Sequence, residues 1–436
     1  MKKSLLFLST LFMLPIIMPQ TAEAQQTQKR HKVQIVKYGK LSSIDSTGED
    51  GIISRLKIKE DRHFNAPDAP GTAIINNKGN FGITIGGAAR VVLSEDFGGV
   101  VNTTNHYGFQ VPQIPTSLDG MSHSQFRLNA GTSTLFIKSI SRSRVLGDVT
   151  TYISMNFLGN NYSPELRQAY IKVKGFTLGQ AWSTATDLDA IPPTIDYWGP
   201  SGGVIMRTQL IRYENKICKN MSFGIAAEMP SVGGTYKDSY NHSLTQSVPD
   251  FIGYLQYSWG KGHNSHIRAT GIFRDMAYYN DIDKNSKMEM GWGAQISGLA
   301  TFCPWATMYF SGTVGKGIAR YINDMGGLNY DLMPDVNAPG DMRMTSMYGM
   351  FIGMQFNLTK DVFVSGTYSQ SMIFDTKNVD LSGTDYRYSQ YIVGNIFWNV
   401  TDYMIMGLEY QRGINNEFNK DQGHANRISL SAKYSF

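Results

Sequence analysis

The sequence predicts an all-β fold, a transmembrane antiparallel β-barrel of about sixteen strands with short periplasmic turns and long extracellular loops. Three observations carry that prediction. The last run, Arg427 to Phe436, alternates strictly: Ile428, Leu430, Ala432, Tyr434 and Phe436 share one face, and Arg427, Ser429, Ser431, Lys433 and Ser435 the other. One face suits lipid and the other water, and a strand that closes on an aromatic residue is how bacterial outer-membrane barrels usually finish. Segments with the same period recur from Asn80 onward, separated alternately by short and long connections. Charged residues make up only 17% of the chain where about a quarter is usual, whereas 44 glycines, 24 tyrosines and 22 phenylalanines supply bends and interfacial girdles.

The first element is a leader. Lys2 and Lys3 precede an apolar stretch from Leu5 to Met18, and Ala22-Glu23-Ala24 offers the small-x-small pattern of a signal peptidase site, so residues 1–24 are expected to be removed. No later apolar run has the length of a spanning helix, which leaves closed strands as the way to satisfy backbone groups in lipid. Residues 25–78 read as an N-terminal periplasmic extension, charged throughout and passing through Asn65-Ala66-Pro67-Asp68-Ala69-Pro70-Gly71 before the barrel over 79–436.

Strands are expected near 80–94, 122–138, 148–159, 166–174, 176–183, 203–214, 220–230, 251–259, 264–274, 288–301, 304–316, 342–358, 360–374, 384–400, 402–413 and 425–436. The even count returns both barrel ends to the periplasmic side. Lys174-Gly175, Trp259 to Gly262, Cys303-Pro304, Leu358 to Lys360 and Val400 to Asp402 read as tight turns. The segments 95–121, 184–202, 231–250, 275–287 and 317–341 read as long loops rich in Gly, Asn, Asp and Pro.

The remaining chemistry is sparse. Eight histidines scatter: His31 and His63 in the extension, His106, His123, His242 and His424 around outer loops, and His263 and His266 at a periplasmic turn, read as two solvated polar residues. Nothing resembles a nucleophile elbow or a zinc-protease motif, so neither an enzyme nor a cofactor is expected. Cys218 and Cys303 fall in separate turns and read as free, partly buried thiols. A net charge of +5 without a compact basic cluster gives no sign of nucleic acid.

Residues 184–202 read as a constriction loop folded into the lumen, because Pro192-Pro193, Asp187, Asp189, Asp196 and the central Tyr197 and Trp198 suit packing better than free solvent. Cations are expected on the facing wall. Arg127 lies opposite Phe126 and Leu128; Lys172 shares a face with Gln168 and Tyr170; Arg207 and Gln209 share another. Arg212 falls on the opposite face from Arg207 by strict counting, so either a bulge re-aims it or it lies near the periplasmic rim. Loop acids facing wall cations set up a transverse field that favours anions.

The stretch 164–214 carries the most specific motifs: Leu166-Arg167-Gln168-Ala169-Tyr170, then Gly179-Gln180-Ala181-Trp182-Ser183, then Pro192-Pro193-Thr194-Ile195-Asp196 leading to Gly199-Pro200-Ser201-Gly202, then Arg207 through Ile211-Arg212-Tyr213. In order and spacing this resembles the DcaP-like outer-membrane porin family, over roughly residues 120–215. The resemblance implies a trimeric channel for small, often anionic, organic molecules in the outer membrane of a Gram-negative bacterium. Residues 25–61 lack the sustained heptad of that family's N-terminal helix, so a homotrimer here would rest on contacts between barrels. A phosphate-selective porin, or a surface receptor or adhesin working through the long loops, are the alternatives.

Overall fold

The computed structural model describes residues 34–37, 72–76, 80–102, 108–117, 123–234, 244 and 246–436. The expected leader, most of the expected extension, and His31, His63, His106 and His242 lie outside the described residues.

Period-two alternation becomes sixteen barrel strands. They are β1 (Phe81–Phe97), β2 in two pieces (Ser124–Asn129 and Thr134–Ser143), β3 (Gly147–Asn156), β4 (Glu165–Val173), β5 (Phe176–Trp182), β6 (Arg207–Lys216), β7 (Met221–Glu228) and β8 (Asp250–Trp259). The second half comprises β9 (Ser265–Asn280), β10 (Asn285–Cys303), β11 (Ala306–Lys316), β12 (Ser346–Asn357), β13 (Val362–Asp375), β14 (Tyr386–Asn399), β15 (Met404–Glu417) and β16 (Gln422–Ser435). Each strand pairs antiparallel with the next, and β16 pairs with β1 from Asn426↔Phe97 to Ser435↔Ala88, which closes the ring. Two short strands of the extension, Gln34–Lys37 and Thr72–Ile75, pair with one another, and the second adds to the foot of β1 at Gly82–Ile85.

The two faces separate as the alternation requires. Leu93, Phe126, Leu128, Ile171, Leu178, Ile225, Phe273, Ile296, Ile352 and Leu430 are exposed outside, while Ser94, Arg127, Glu228, Ser297, Gln355 and Ser431 are buried inside. Each exposed Ile, Leu or Phe forgoes about 1.5–3 kcal/mol of transfer free energy if left in water, so a ring of them is stable only against lipid. Aromatic pairs mark the periplasmic boundary beside the tight turns: Phe176 and Tyr213 with centroids 4.8 Å apart, Trp305 and Phe356 at 6.2 Å, and Tyr403 and Tyr434 at 6.4 Å.

Three element boundaries and the exposure of one cysteine depart from the expectation. β1 runs on to Phe97, because Ser94 and Asp96 continue the inward face that Arg90 and Val92 begin. The second strand breaks at residues 130–133, where Ser133 N–H bonds to Ala130 O at 3.0 Å, and resumes along the lower half of β1. Segment 275–287 is largely a β9–β10 hairpin with a turn at 281–284, its polar residues continuing the ladder from Asp275↔Met290 to Asn280↔Asn285. Both cysteines are free, but Cys218 is exposed rather than partly buried, since its turn points into solvent.

Among the described residues, three loops pack extensively inside the ring. Val101, Phe109, Val111 and Ile114 of the β1–β2 loop pack on Tyr391, Val393 and Ala425. Ile318, Tyr321, Ile322 and Met325 of the β11–β12 loop pack on Ile252, Ile272 and Met347. The third, between β5 and β6, carries the candidate site.

Candidate functional site: a loop diaphragm and a cationic wall

The β5–β6 loop, residues 183–206, runs around the inside of the barrel and is bonded to the wall at successive points. At its entry, Glu228 of β7 accepts the Ser183 hydroxyl at 2.8 Å and the Thr184 N–H at 2.6 Å. Asp187 then accepts from Ser297 Oγ of β10 at 2.7 Å and lies 2.8 Å from His266 Nε2 of β9. Pro193 O accepts from Ser365 Oγ of β13 at 3.1 Å and Asn395 Nδ2 of β14 at 2.9 Å. Glu409 of β15 takes the Thr194 hydroxyl at 2.8 Å and the N–H groups of Ile195 and Asp196 at 2.7 and 3.1 Å. Arg90 of β1 donates to Ile195 O, and Asn156 of β3 donates to the Tyr197 hydroxyl at 2.8 Å. Gly202 then lies against β12 and β13, where an added Cβ would stand 2.2 Å from Gln370 O and 2.3 Å from Met350 N. Only glycine permits that approach.

Charge-assisted bonds of this kind are worth roughly 1.5–3 kcal/mol each, so the loop is a fixed diaphragm and not a waving lid. Its acids serve that purpose. Asp187 and Asp196 are buried, and Asp196 accepts the Phe109 N–H at 2.9 Å, tying in the β1–β2 loop; Asp189 alone of the three expected field-setting acids is exposed. Burial would raise the Asp187 carboxyl, but Arg268, then His266 and Ser297, outweigh it and hold the group below the ordinary carboxylate value. For Asp196 burial wins over its donors, and the group is raised. Trp198 follows Tyr197 at the turn of the loop, with its N–H on Asp196 and its carbonyl accepting from Asn323 at 2.8 Å.

Asp324, on the β11–β12 loop that backs the diaphragm, is pushed up to about 7, chiefly by burial, with Asp196 adding to the rise. A raised acid is protonated by folding, so stability is lost as pH climbs from the unfolded value near 4 to about 7. Asp324→Asn is expected to flatten that dependence, which thermal unfolding followed on gels at pH 5 and pH 8 measures.

Below the diaphragm the inner wall is basic. Lys138 lies in the row Lys138↔Tyr152↔Tyr170, and Lys172 lies one row nearer the periplasm, opposite Thr150. Lys172, half exposed, stands 3.5 Å from Glu214, which also takes Arg212 at 3.2 Å and the Tyr254 hydroxyl at 2.9 Å. Arg268 stacks 4.3 Å over Tyr254 and lies 3.8 Å from Asp187. Lys172 and Arg212 therefore share Glu214, Arg268 lies against Asp187, and Lys138 adds a fourth cation in the next row.

Four residues, Arg207, Gln209, Arg212 and His266, sit elsewhere than the alternation and turn chemistry predict. The β6 ladder has no bulge: Thr208, Leu210, Arg212 and Glu214 face inward with Glu228, so Arg212 is lumenal and Arg207 and Gln209 point outward beside the exposed Ile211. Period two separates faces without saying which is inside, and here the face with Arg207 and Gln209 is the outer one. Arg127 is lumenal as expected, but Asp96 binds both it and Arg427, and Arg127 also donates to Val101 O at 2.8 Å, so it staples a loop at the mouth. His266 is buried against Asp187 and not solvated, because the diaphragm descends to it; the His263 side chain lies outside the described residues.

The outward glutamines mend a gap in the wall. The β4–β5 ladder stops at Ala169↔Gln180, below a bulge in β4 that leaves Arg167 as an extra residue. Gln180 Nε2 reaches back to Leu166 O and Arg167 O at 3.0 and 3.2 Å, and Gln209 Nε2 donates to Gln180 Oε1 at 3.0 Å. Those bonds replace ladder bonds that lipid cannot satisfy. Gly179, with φ +128°, allows the adjoining turn of chain, where a Cβ would stand 2.2 Å from Ala169 O. Arg207 stacks 3.6 Å over Trp182 on the outer side.

A closed barrel with its third outer loop folded inward defines the class of fold: that of the outer-membrane channels. Among solved structures the chain is similar to the outer-membrane channel DcaP of Acinetobacter baumannii, with a TM-score of 0.71, 19% identity, and coverage of 83% of this chain and 99% of that one. It is also similar to an anion-selective porin from Comamonas acidovorans (TM-score 0.53, 10% identity, 82% and 100% covered) and to the outer-membrane protein OmpT of Vibrio cholerae (0.51, 10%, 82% and 98%). No family model and no curated protein matches the sequence. The fold implied by the motif resemblance is thus the fold found.

Sequence reasoning missed Arg268, Glu228 and Glu409, although alternation marks all three: Arg268, for example, falls on the polar face opposite Ile267 and Ala269. It missed Lys138 because that residue shares its face with the apolar Phe136 and Ile140. It missed Arg167 for a different reason. Strict counting assigns that residue to the lipid face with Ala169 and Ile171, and only the bulge turns it inward.

Proposed function

We propose that the protein is an outer-membrane porin that passes small hydrophilic solutes passively and favours anions. The surplus of Lys138, Lys172, Arg212 and Arg268 over Glu214 and Asp187 on the wall below the diaphragm carries this reading. Fixed cations in a low-dielectric constriction raise the local concentration of anions and repel cations. The existence of an anion-selective porin with the same fold supports it, as do Asp187 and Asp196, whose charges are spent on anchoring. Swelling of liposomes reconstituted with the protein tests the reading: dicarboxylates are expected to enter faster than neutral sugars of equal size, and these faster than diamines. Equal rates for all three would reject the preference while leaving the pore.

A further inference from the structure

We propose that the gap between β4 and β5 is a lateral binding site for an amphiphilic carboxylate, a single acidic head on an apolar chain, taken from the lipid side. This goes beyond passage of solutes through the lumen. Arg207 lies six residues above Tyr213 of the aromatic girdle on the same strand. That is about 20 Å along the strand and roughly 15 Å along the barrel axis at the usual tilt, within an apolar belt about 25 Å tall. At this height the last ladder pair is Ala169↔Gln180, and above it the wall opens into a cavity of about 370 Å³. Its lining joins outward residues, Leu166, Trp182 and Arg207, to Tyr197 and Thr194 of the diaphragm, so it passes from the lipid face toward the lumen.

The head of the ligand is specified by charge. Arg167 is 4% exposed, and its Nε and Nη1 find no partner among the described residues; the Nε of Arg207 is likewise buried without one. Arg167 and Arg207 flank the Tyr197 ring, the first with its guanidinium 5.5 Å from the centroid. Burial would raise that loop phenol, but the two guanidiniums outweigh it and hold the group below its ordinary value. Glu165 is the one acid in the lining and Arg207 also bonds the Tyr197 side chain, so two guanidiniums against one carboxylate leave a net positive charge at membrane depth, which is costly unless a further anion joins them. Leu166, Ile205, Leu188 and Trp182 give the cavity an apolar remainder that suits a short acyl chain rather than an inorganic ion.

Decanoate is the probe, with decanol and acetate as the chain-only and head-only controls, in equilibrium binding to the purified full chain in detergent. The wild type is expected to retain decanoate above the micelle background and to retain neither control. Arg167→Gln with Arg207→Gln is expected to weaken decanoate at least about tenfold, the loss of charge-assisted bonds to a carboxylate. Leu166→Trp, which fills the cavity from the lipid side and leaves both arginines, is expected to do the same. Arg167→Gln alone is expected not to lower thermal stability, because it removes a buried charge without a full set of partners; a lowered stability would mean that Arg167 is structural and would overturn the assignment. So would equal retention of decanoate by wild type and double variant, equal binding of decanol, or saturation by acetate alone. Chloride conductance of the wild type, read separately, distinguishes failure of the channel reading from failure of this one.

Discussion

Glu409→Ala is expected to enlarge the pore. This carboxylate holds the diaphragm through the Thr194 hydroxyl and the Ile195 and Asp196 N–H groups, and Asn395 Nδ2 donates to it at 3.0 Å. Removing it takes an acceptor from four donors and leaves two of them, the Thr194 hydroxyl and the Ile195 N–H, without one, since Asp196 N–H keeps Thr194 Oγ1 and Asn395 Nδ2 keeps Pro193 O; Arg90 also loses a neighbouring carboxylate, for a loss on the order of 3–5 kcal/mol by comparison with other broken buried networks. The barrel ladders survive, since Glu409 contributes only its backbone to them. The cost therefore falls on the loop, whose 193–197 segment is freed from β15. Single-channel conductance is expected to rise and the size limit for neutral sugars to increase. Glu409→Gln, which keeps one acceptor oxygen, is expected to fall between. A variant with wild-type conductance and wild-type thermal stability would show that the loop is held by something other than these carboxylates.

The second large effect concerns ion preference. Replacing Lys138, Lys172 and Arg212 together with glutamine removes three of the four cations on the wall below the diaphragm and leaves Glu214 and Asp187. The local balance then changes sign, and the zero-current potential under a salt gradient is expected to move from the anion side to the cation side. A pore passing one ion exclusively reads about 59 mV at a tenfold gradient, which sets the scale against which the shift is judged. Replacing Arg127 and Arg207 is expected to leave the potential nearly unchanged, because Asp96 binds the first and the second leaves the lumenal face of its strand for the gap between β4 and β5, where Trp182 covers it. The contrast between the two variants separates wall charge from arginine content. A shift in the second and none in the first would place selectivity at the mouth.

Most of the architecture was legible because lipid outside and water inside impose the same period on every strand, and Arg127 between Phe126 and Leu128 is read correctly by that rule alone. What the rule lacks is a sign. Arg207 and Gln209 are polar, so alternation alone points them to the lumen, yet they face outward where Gln180 mends a broken ladder and Trp182 covers a guanidinium. It also fails at irregularities: the bulge beside Leu166 turns Arg167 to the side opposite from its count. Contacts distant in sequence are beyond it altogether. Asp187 and His266 are separated by 79 positions, and Thr194 and Glu409 by 215, so nothing local distinguishes an anchoring acid from an ordinary lumenal one.

The central claim is that the ring encloses a wetted passage narrowed, but not sealed, by the β5–β6 loop. Recording from the purified wild-type protein in a planar lipid bilayer tests it most directly. Discrete, ohmic conductance steps are the expected result, with a zero-current potential on the anion side of a salt gradient. Insertion into the bilayer without any conductance, at every voltage the membrane withstands, would contradict the account.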